Sequence, residues 1–199
     1  MRDAAAVILA FAVGSIVWGV VLGRVFLGRD PRTVDNPGAS GSFRQFGLTF
    51  GISVGLLDVA KGAVSVAVAR WLGASPQGTA LSAVAAIAGH NWPVWFGFRG
   101  GGGLATAVGG FGSIAPRETA AALVVALLSA LLFKFSPLNG KLPMSSLPAG
   151  AAVGLPFLVW VTWRTGNSTG FLASLLGTLV IGVKGLRMLA ESQKRLQSQ

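Results

Sequence analysis

Apolar runs of membrane-spanning length recur from one end of this chain to the other, separated by short polar loops, and no other feature limits its fold so severely. A helix needs about 20 consecutive apolar residues to cross ~30 Å of hydrocarbon. By that measure spans are expected at residues 4–27, 46–72, 79–98, 103–115, 119–135, 147–163 and 170–189. The fourth is too short to cross alone and reads as a half-helix sheltered by its neighbours. Within hydrocarbon every backbone N–H and C=O must find a partner in the chain itself, which leaves helices or a closed barrel. The expected fold is therefore all-α and integral to the membrane: a bundle of seven transmembrane helices forming a single membrane-embedded domain over residues 1–199.

Composition and charge fit that reading. Hydrophobic residues make up 52% of the chain and charged residues only 11%, against about a quarter charged in soluble domains. The net charge of +10 would suggest nucleic acid in a soluble protein. Here the basic residues lie between apolar runs and at the C-terminus, so membrane lipids with anionic headgroups, or phosphorylated ligands, are the expected partners and nucleic acid is not. With seven spans, only Arg2, Arg70, Arg117 and Arg164 fall on one side, and the loops of the other carry most of the Lys and Arg. The richer side is expected to be cytoplasmic, putting the N-terminus outside and the C-terminus inside. Trp71, Trp92, Trp95 and Trp163 fall at or near the expected span ends, where interfacial tryptophans belong. The N-terminal apolar stretch is longer than a signal peptide's and reads as a retained first span. There is no cysteine, hence no thiolate nucleophile and no Cys-ligated metal. No Asp/Glu/His cluster has metal-ligand spacing, so neither a metal nor another cofactor is expected.

Glycine is frequent within the spans. Gly47, Gly51 and Gly55 form overlapping G-x-x-x-G pairs on the second, and Gly109, Gly110 and Gly112 lie on the fourth; close helix packing is the expected use.

Polar chemistry gathers in three clusters on the expected cytoplasmic side. In "DNPGASGSFR", residues 35–44, the Asn36-Pro37-Gly38 turn and Gly41 allow backbone N–H groups to converge. Ser40, Ser42 and Arg44 add donors, a combination suited to an anion and equally to a plain basic turn. In "GLLDVAKG", residues 55–62, Asp58 and Lys61 share a helix face inside the membrane. Such a pair either lines a polar cavity or ties helices together. In "AGHNWPVWFGFRGGGGLATA", residues 88–107, His90 ends an apolar helix and Pro93 stops its continuation. Arg99 and Gly100 to Gly103 then lead into the half-helix, whose N-terminus is a phosphate site in principle; the glycines could instead be a hinge and His90 a packing residue.

At these residues the chain resembles the PlsY family, bacterial membrane acyl-phosphate:glycerol-3-phosphate acyltransferases. The family pattern runs S-G-N-P-G-A-T-N-x-x-R, D-x-x-K-G and G-H-x-x-P-x-F-x-x-F-K-G-G-K-G-V-A-T. It is met here, in order, by "VDNPGASGSFR" (34–44), "DVAKG" (58–62) and "GHNWPVWFGFRGGGGLAT" (89–106). The resemblance implies a seven-span enzyme of the bacterial inner (cytoplasmic) membrane with its site facing the cytoplasm. It implies transfer of a fatty acyl group from acyl phosphate to glycerol 3-phosphate, giving lysophosphatidate and phosphate for phospholipid biosynthesis. No acyl-enzyme is implied, so the demands on the protein are positioning and charge stabilisation.

Position by position, the resemblance implies that Asn36, Gly38, Ala39 and Ser40 cradle the donor phosphate, that Arg44 contacts glycerol 3-phosphate, and that Asp58 and Lys61 brace or line the pocket. His90 matches the histidine of the third motif. Gly100, Gly101, Gly103 and Thr106 match its glycines and threonine, and Arg99 stands for its first lysine. Val34, Asp35 and Gly41 depart from the first motif, and Gly102 replaces the second lysine of the third. A C-terminal H-x-x-N-x-x-R-like pattern is nearest at "LAESQKR", residues 189–195, where Leu189 and Ser192 replace its first two residues and Arg195 remains. Other readings are a relative using a different acceptor, a non-catalytic lipid-binding protein, and a small transporter, for which no inverted repeat is present.

Overall fold

The computed structural model describes residues 1–141 and 144–197, and among the latter leaves aside the side chains of residues 192 and 194–197. The helices are α1 (Arg2–Gly14), α2 (Trp18–Leu27), α3 (Ala39–Phe46), α4 (Leu48–Trp71), α5 (Pro76–Asn91), α6 (Leu104–Ile114), α7 (Pro116–Phe135), α8 (Ser146–Arg164) and α9 (Ser168–Gln197). Two 3-10 turns, Pro31–Thr33 and Val94–Phe96, lie in the connections. Among the described residues five segments are long and apolar enough to cross a membrane: Arg2–Leu27, α4, α7, α8 and Ser168–Glu191. The outer surface is the inverse of a soluble protein's. Val124, Leu127, Leu128, Leu131 and Leu132 on α7, and Leu179 and Leu186 on α9, are exposed, as a lipid-facing surface requires. Trp71, Trp95 and Trp163 are exposed at helix ends and connections.

Small residues let the helices approach one another. Helix α5, rich in Ala, Gly, Ser and Thr, is the most enclosed element and packs against α1, α4, α6 and α9. Its Gly89 lies on the Phe11 carbonyl and its Ala86 on Gly14 of α1. Between α4 and α6, Gly62 meets the Thr106 carbonyl and Gly109 meets that of Val59. The apolar core runs through Ala80, Ile87, Ala107, Phe111, Leu158 and Ile181. Inside it the Thr162 and Ser174 hydroxyls, 3.1 Å apart, join α8 to α9.

Polar ties gather alternate connections at opposite ends. At one end Asp3 accepts from the Ser75 backbone (2.7 Å) and hydroxyl (2.6 Å), Arg70 donates to the Ser113 carbonyl (2.8 Å) and Thr165 donates to Glu118 (2.9 Å). Ser75 also caps α5 by accepting from Gly78 N–H, with Pro76 at the first helical position, a combination favourable to a helix start. At the other end lie the connections that carry the first and third motifs.

Three local features differ from the sequence expectation. The first apolar run is broken at Ser15 to Val17, between α1 and α2, which leaves the Ile16 carbonyl outside the helical ladder. The third helix ends at Asn91, because Pro93 and the turn at Gly97 divert a chain whose aromatic residues prolong the apolar run to Phe98. The first cluster is more than a turn: it opens the two-turn helix α3. Gly51 and Gly55 on α4 accordingly seat α3, at Phe43 and Ala39.

Candidate functional site

The first motif is organised by its own side chains. Asn36 Oδ1 accepts from Gly38 N–H at 2.8 Å and closes the turn, the local bond for which Asn is favoured there. Gly38 is the N-cap of α3, and Ser42 N–H is the first to bond back, to the Gly38 carbonyl at 2.9 Å. The N–H groups of Ala39, Ser40 and Gly41 are thus left at the positive end of the helix. Arg44, one turn further, donates to Ser40 Oγ at 2.8 Å and pairs with Asp35 Oδ2 through Nε at 2.8 Å and Nη2 at 2.7 Å. Asp35, which stands where the family pattern has glycine, therefore occupies the fork of the arginine expected to meet a phosphate.

Beneath this turn lies a buried trio. Asp58 and Lys61 on α4 and His90 at the end of α5 are each almost completely enclosed. Three groups surround the Lys61 ammonium: the Ile16 carbonyl accepts from it at 2.7 Å, Asp58 Oδ1 pairs with its charge at 2.8 Å, and His90 Nδ1 lies 2.7 Å away. An ammonium has three donors and no acceptor. His90 Nδ1 must therefore accept, which places the ring proton on Nε2. The separation of 3.5 Å between Nδ1 and Asp58 Oδ1 is then that of two acceptors gathered on one ammonium, neither a hydrogen bond nor an ion pair. The break between α1 and α2 also acquires a purpose, since it frees the Ile16 carbonyl for the ammonium.

The protonated Nε2 faces the two loops. It lies about as far from the Cβ position of Gly38 (3.9 Å) as a van der Waals contact allows, and a Cβ on Gly101 would collide with it. Gly101 N–H donates back to the His90 carbonyl at 3.1 Å. Gly103 adopts φ +82 at the N-cap of α6 and packs on Asn91 Oδ1, a conformation and a proximity that only glycine satisfies. The first and third motifs are stitched together by Arg32, which donates to the Phe96 carbonyl at 2.7 Å and grips Asp30 through Nε and Nη2. Hydrogen bonds from Arg32, and a weaker contribution from Arg24, outweigh partial burial and hold the Asp30 carboxyl well below the usual carboxylate range.

The expected site residues thus separate into groups. Asn36, Gly38, Ala39, Ser40, Arg44, Asp58, Lys61, His90, Gly100 and Gly101 form one contiguous polar region, with Gly103 at its edge. Thr106 is fully buried between α4 and α6, and its hydroxyl has no hydrogen-bond partner among the described residues. Arg99 is exposed and makes no side-chain ion pair among the described residues. The side chain of Arg195 lies outside the described residues. Sequence reading missed Asn91, whose fully buried amide has no hydrogen-bond partner among the described residues, and the part of α9 before the 189–195 motif. On that helix Met188 reaches Asn36 Nδ2 (4.0 Å), while Lys184 and Arg187 lie over the Trp92 ring at 5.9 and 5.8 Å. The available signal was the i, i+4 pairing of Lys184 with Met188 on one face of the last span.

Such a region, with free backbone N–H groups, a histidine proton and an arginine at the end of an apolar bundle, can hold a phosphate whose ester or anhydride partner extends into lipid. Comparison with known proteins agrees. The family model described as "Glycerol-3-phosphate acyltransferase" matches residues 4–192. A curated glycerol-3-phosphate acyltransferase 2 of Deinococcus radiodurans is 37% identical over 188 residues, covering 94% of each chain. A glycerol-3-phosphate acyltransferase 1 of Dehalococcoides mccartyi is 34% identical over 96% of this chain and 89% of its own. Among solved structures, the glycerol 3-phosphate form of the integral membrane acyltransferase PlsY (YgiH) superposes with a TM-score of 0.78 at 25% identity, covering 100% of this chain and 93% of that one. Its lysophosphatidic acid form, at 23% identity and TM-score 0.76, shares the fold. Extended over nearly the whole chain, these likenesses place the protein in the glycerol-3-phosphate acyltransferase family.

Proposed function

We propose that this multi-pass membrane acyltransferase takes its acyl group from acyl phosphate, with glycerol 3-phosphate as acceptor, at a site on the cytoplasmic face of a bacterial inner membrane. The observation that carries the reading is the convergence of all three motifs on the buried Asp58–Lys61–His90 trio, with the His90 Nε2 proton aimed between Gly38 and Gly101. Seven crossings are supported by the five long spans, by α5 and by the short α6, which has neighbours on α4, α5, α7 and α9. The alternation of polar ties between the two ends and the excess of Lys and Arg at the motif end support an outside N-terminus and an inside C-terminus.

In this reading the donor phosphate sits on the N–H groups of Ala39 and Ser40 at the start of α3, beside Asn36, and receives the Nε2 proton of His90 as a hydrogen bond. Lys61 does not touch substrate; it fixes the histidine tautomer, and Asp58 balances its charge. Arg44 exchanges Asp35 for the acceptor phosphate. The acceptor hydroxyl oxygen then bonds to the acyl carbon, the acyl carbon–oxygen bond to phosphate breaks, and the departing phosphate takes the hydroxyl proton. Products are lysophosphatidate and inorganic phosphate, with no covalent enzyme intermediate. The backbone and histidine donors act where negative charge accumulates on the leaving phosphate, which is where preorganised dipoles lower a barrier.

The test is orthophosphate release from palmitoyl phosphate by the purified protein in lipid. Release is expected to require glycerol 3-phosphate and to match lysophosphatidate one for one. Release with a different acceptor alone would move the assignment to that acceptor, and inertness of folded protein with every acceptor would favour a lipid-binding role.

A further inference from the structure

Resting on that reading and deepening it, the structure assigns Lys184 on α9 as the cation that completes the acceptor-phosphate site, in place of the lysine that the third motif lacks at Gly102. Gly102 faces open space. A Cβ there would meet only Asn36 Nδ2 at 3.9 Å and Met188 Sδ at 4.0 Å, so the volume a longer side chain would enter is bounded by the first motif and by α9. Lys184 lies one helical turn before Met188, on the same face. Its Nζ stands over the ring of Trp92, two residues beyond His90, at 5.9 Å.

The charge balance at this end of the bundle points the same way. Asp30 occupies Arg24 and Arg32, Asp35 occupies Arg44, and Asp58 occupies Lys61. Lys184 is half-buried yet forms no carboxylate ion pair among the described residues, and Glu191, two turns further on, acts on it only from beyond ion-pair distance. A partly desolvated ammonium over an aromatic face, with no carboxylate in contact, is a good receptor for an anion. Arg187 flanks the same ring at 5.8 Å from the exposed side and widens the positive field over the opening. A site that has gained Asp35 and lost a lysine relative to the family pattern thereby recovers positive charge from a different helix.

The experiment is steady-state kinetics on full-length Lys184→Ala in lipid, paired with equilibrium binding of labelled glycerol 3-phosphate. Loss of one charge-assisted phosphate contact is expected to raise KM for glycerol 3-phosphate about tenfold or more, by a larger factor than kcat falls, and to leave KM for palmitoyl phosphate unchanged. Lys184→Arg should retain most of the affinity. Gly102→Lys in the Lys184→Ala background should bring KM back towards the starting value, which a merely structural role for Lys184 would not permit. Unchanged KM and unchanged binding in Lys184→Ala, or a rise that Gly102→Lys fails to rescue, would overturn the assignment. If the starting protein binds glycerol 3-phosphate through Lys184 without forming product, the acyltransfer reading falls and this assignment stands. If the starting protein does not bind glycerol 3-phosphate, both fall.

Discussion

Lys61→Met is expected to abolish measurable acyl transfer and to destabilise the protein, whereas Asp58→Leu/Lys61→Met should recover most of the stability and none of the activity. The single substitution leaves Asp58 charged, buried and uncompensated. Removing one partner of a buried pair costs about 3–5 kcal/mol, whereas replacing both by apolar groups of similar volume is often neutral. Activity follows a different rule. Without the ammonium nothing obliges His90 Nδ1 to accept, so the ring can turn or exchange its tautomer, and the Nε2–H donor is no longer held towards the phosphate. Losing one preorganised donor of this kind lowers kcat by roughly 100-fold or more. Thermal unfolding in detergent and turnover in lipid separate the two effects. A double variant that turns over normally would show the trio to be a structural tie alone.

Gly101→Ala and Gly102→Ala, one residue apart, should behave oppositely. A methyl group at 101 would collide with His90 Nε2 and lie 3.1 Å from Cε1 and 3.2 Å from Asn36 Oδ1. The imidazole must yield, with an overpacking cost of about 1–3 kcal/mol and loss of its aim, so kcat/KM should fall by more than about tenfold. At 102 the nearest atoms are at ordinary contact distance, and kcat/KM should change by no more than about twofold, within the range of an unobstructed substitution. Parallel kinetics on the two variants check this. Equal effects would mean that the glycine run acts as a flexible hinge and that the contact with His90 is incidental.

Much of this arrangement was legible in the sequence because hydrocarbon leaves few choices. The apolar runs located the helices, and the short α6 was apparent from the length of its run alone. The spacing of Asp58 and Lys61 put both on one face, and three ordered motifs indicated a phosphate site. Tertiary geometry supplied what pattern could not. The break between α1 and α2 carries no proline, and its purpose appears only when the Ile16 carbonyl meets Lys61. The eight-residue α3 is too short and too polar to stand out from a loop by periodicity. The aromatic residues after Asn91 prolonged an apolar run that Pro93 had already ended. Apart from its spacing from Met188, Lys184, a single cation near the end of a span, has no sequence signature of a binding role. It gained one when α5 and α9 packed together and brought Trp92 beneath it.

The central claim, that the three motifs form an acyl-phosphate and glycerol 3-phosphate site around His90, is tested most directly by lysophosphatidate formation. Purified protein in lipid is supplied with palmitoyl phosphate and labelled glycerol 3-phosphate and compared with Arg44→Ala. Labelled lysophosphatidate is expected from the unaltered chain and at least about tenfold less from the variant, the effect of losing a charge-assisted phosphate contact. No product from folded protein, or equal product from Arg44→Ala, would contradict the account.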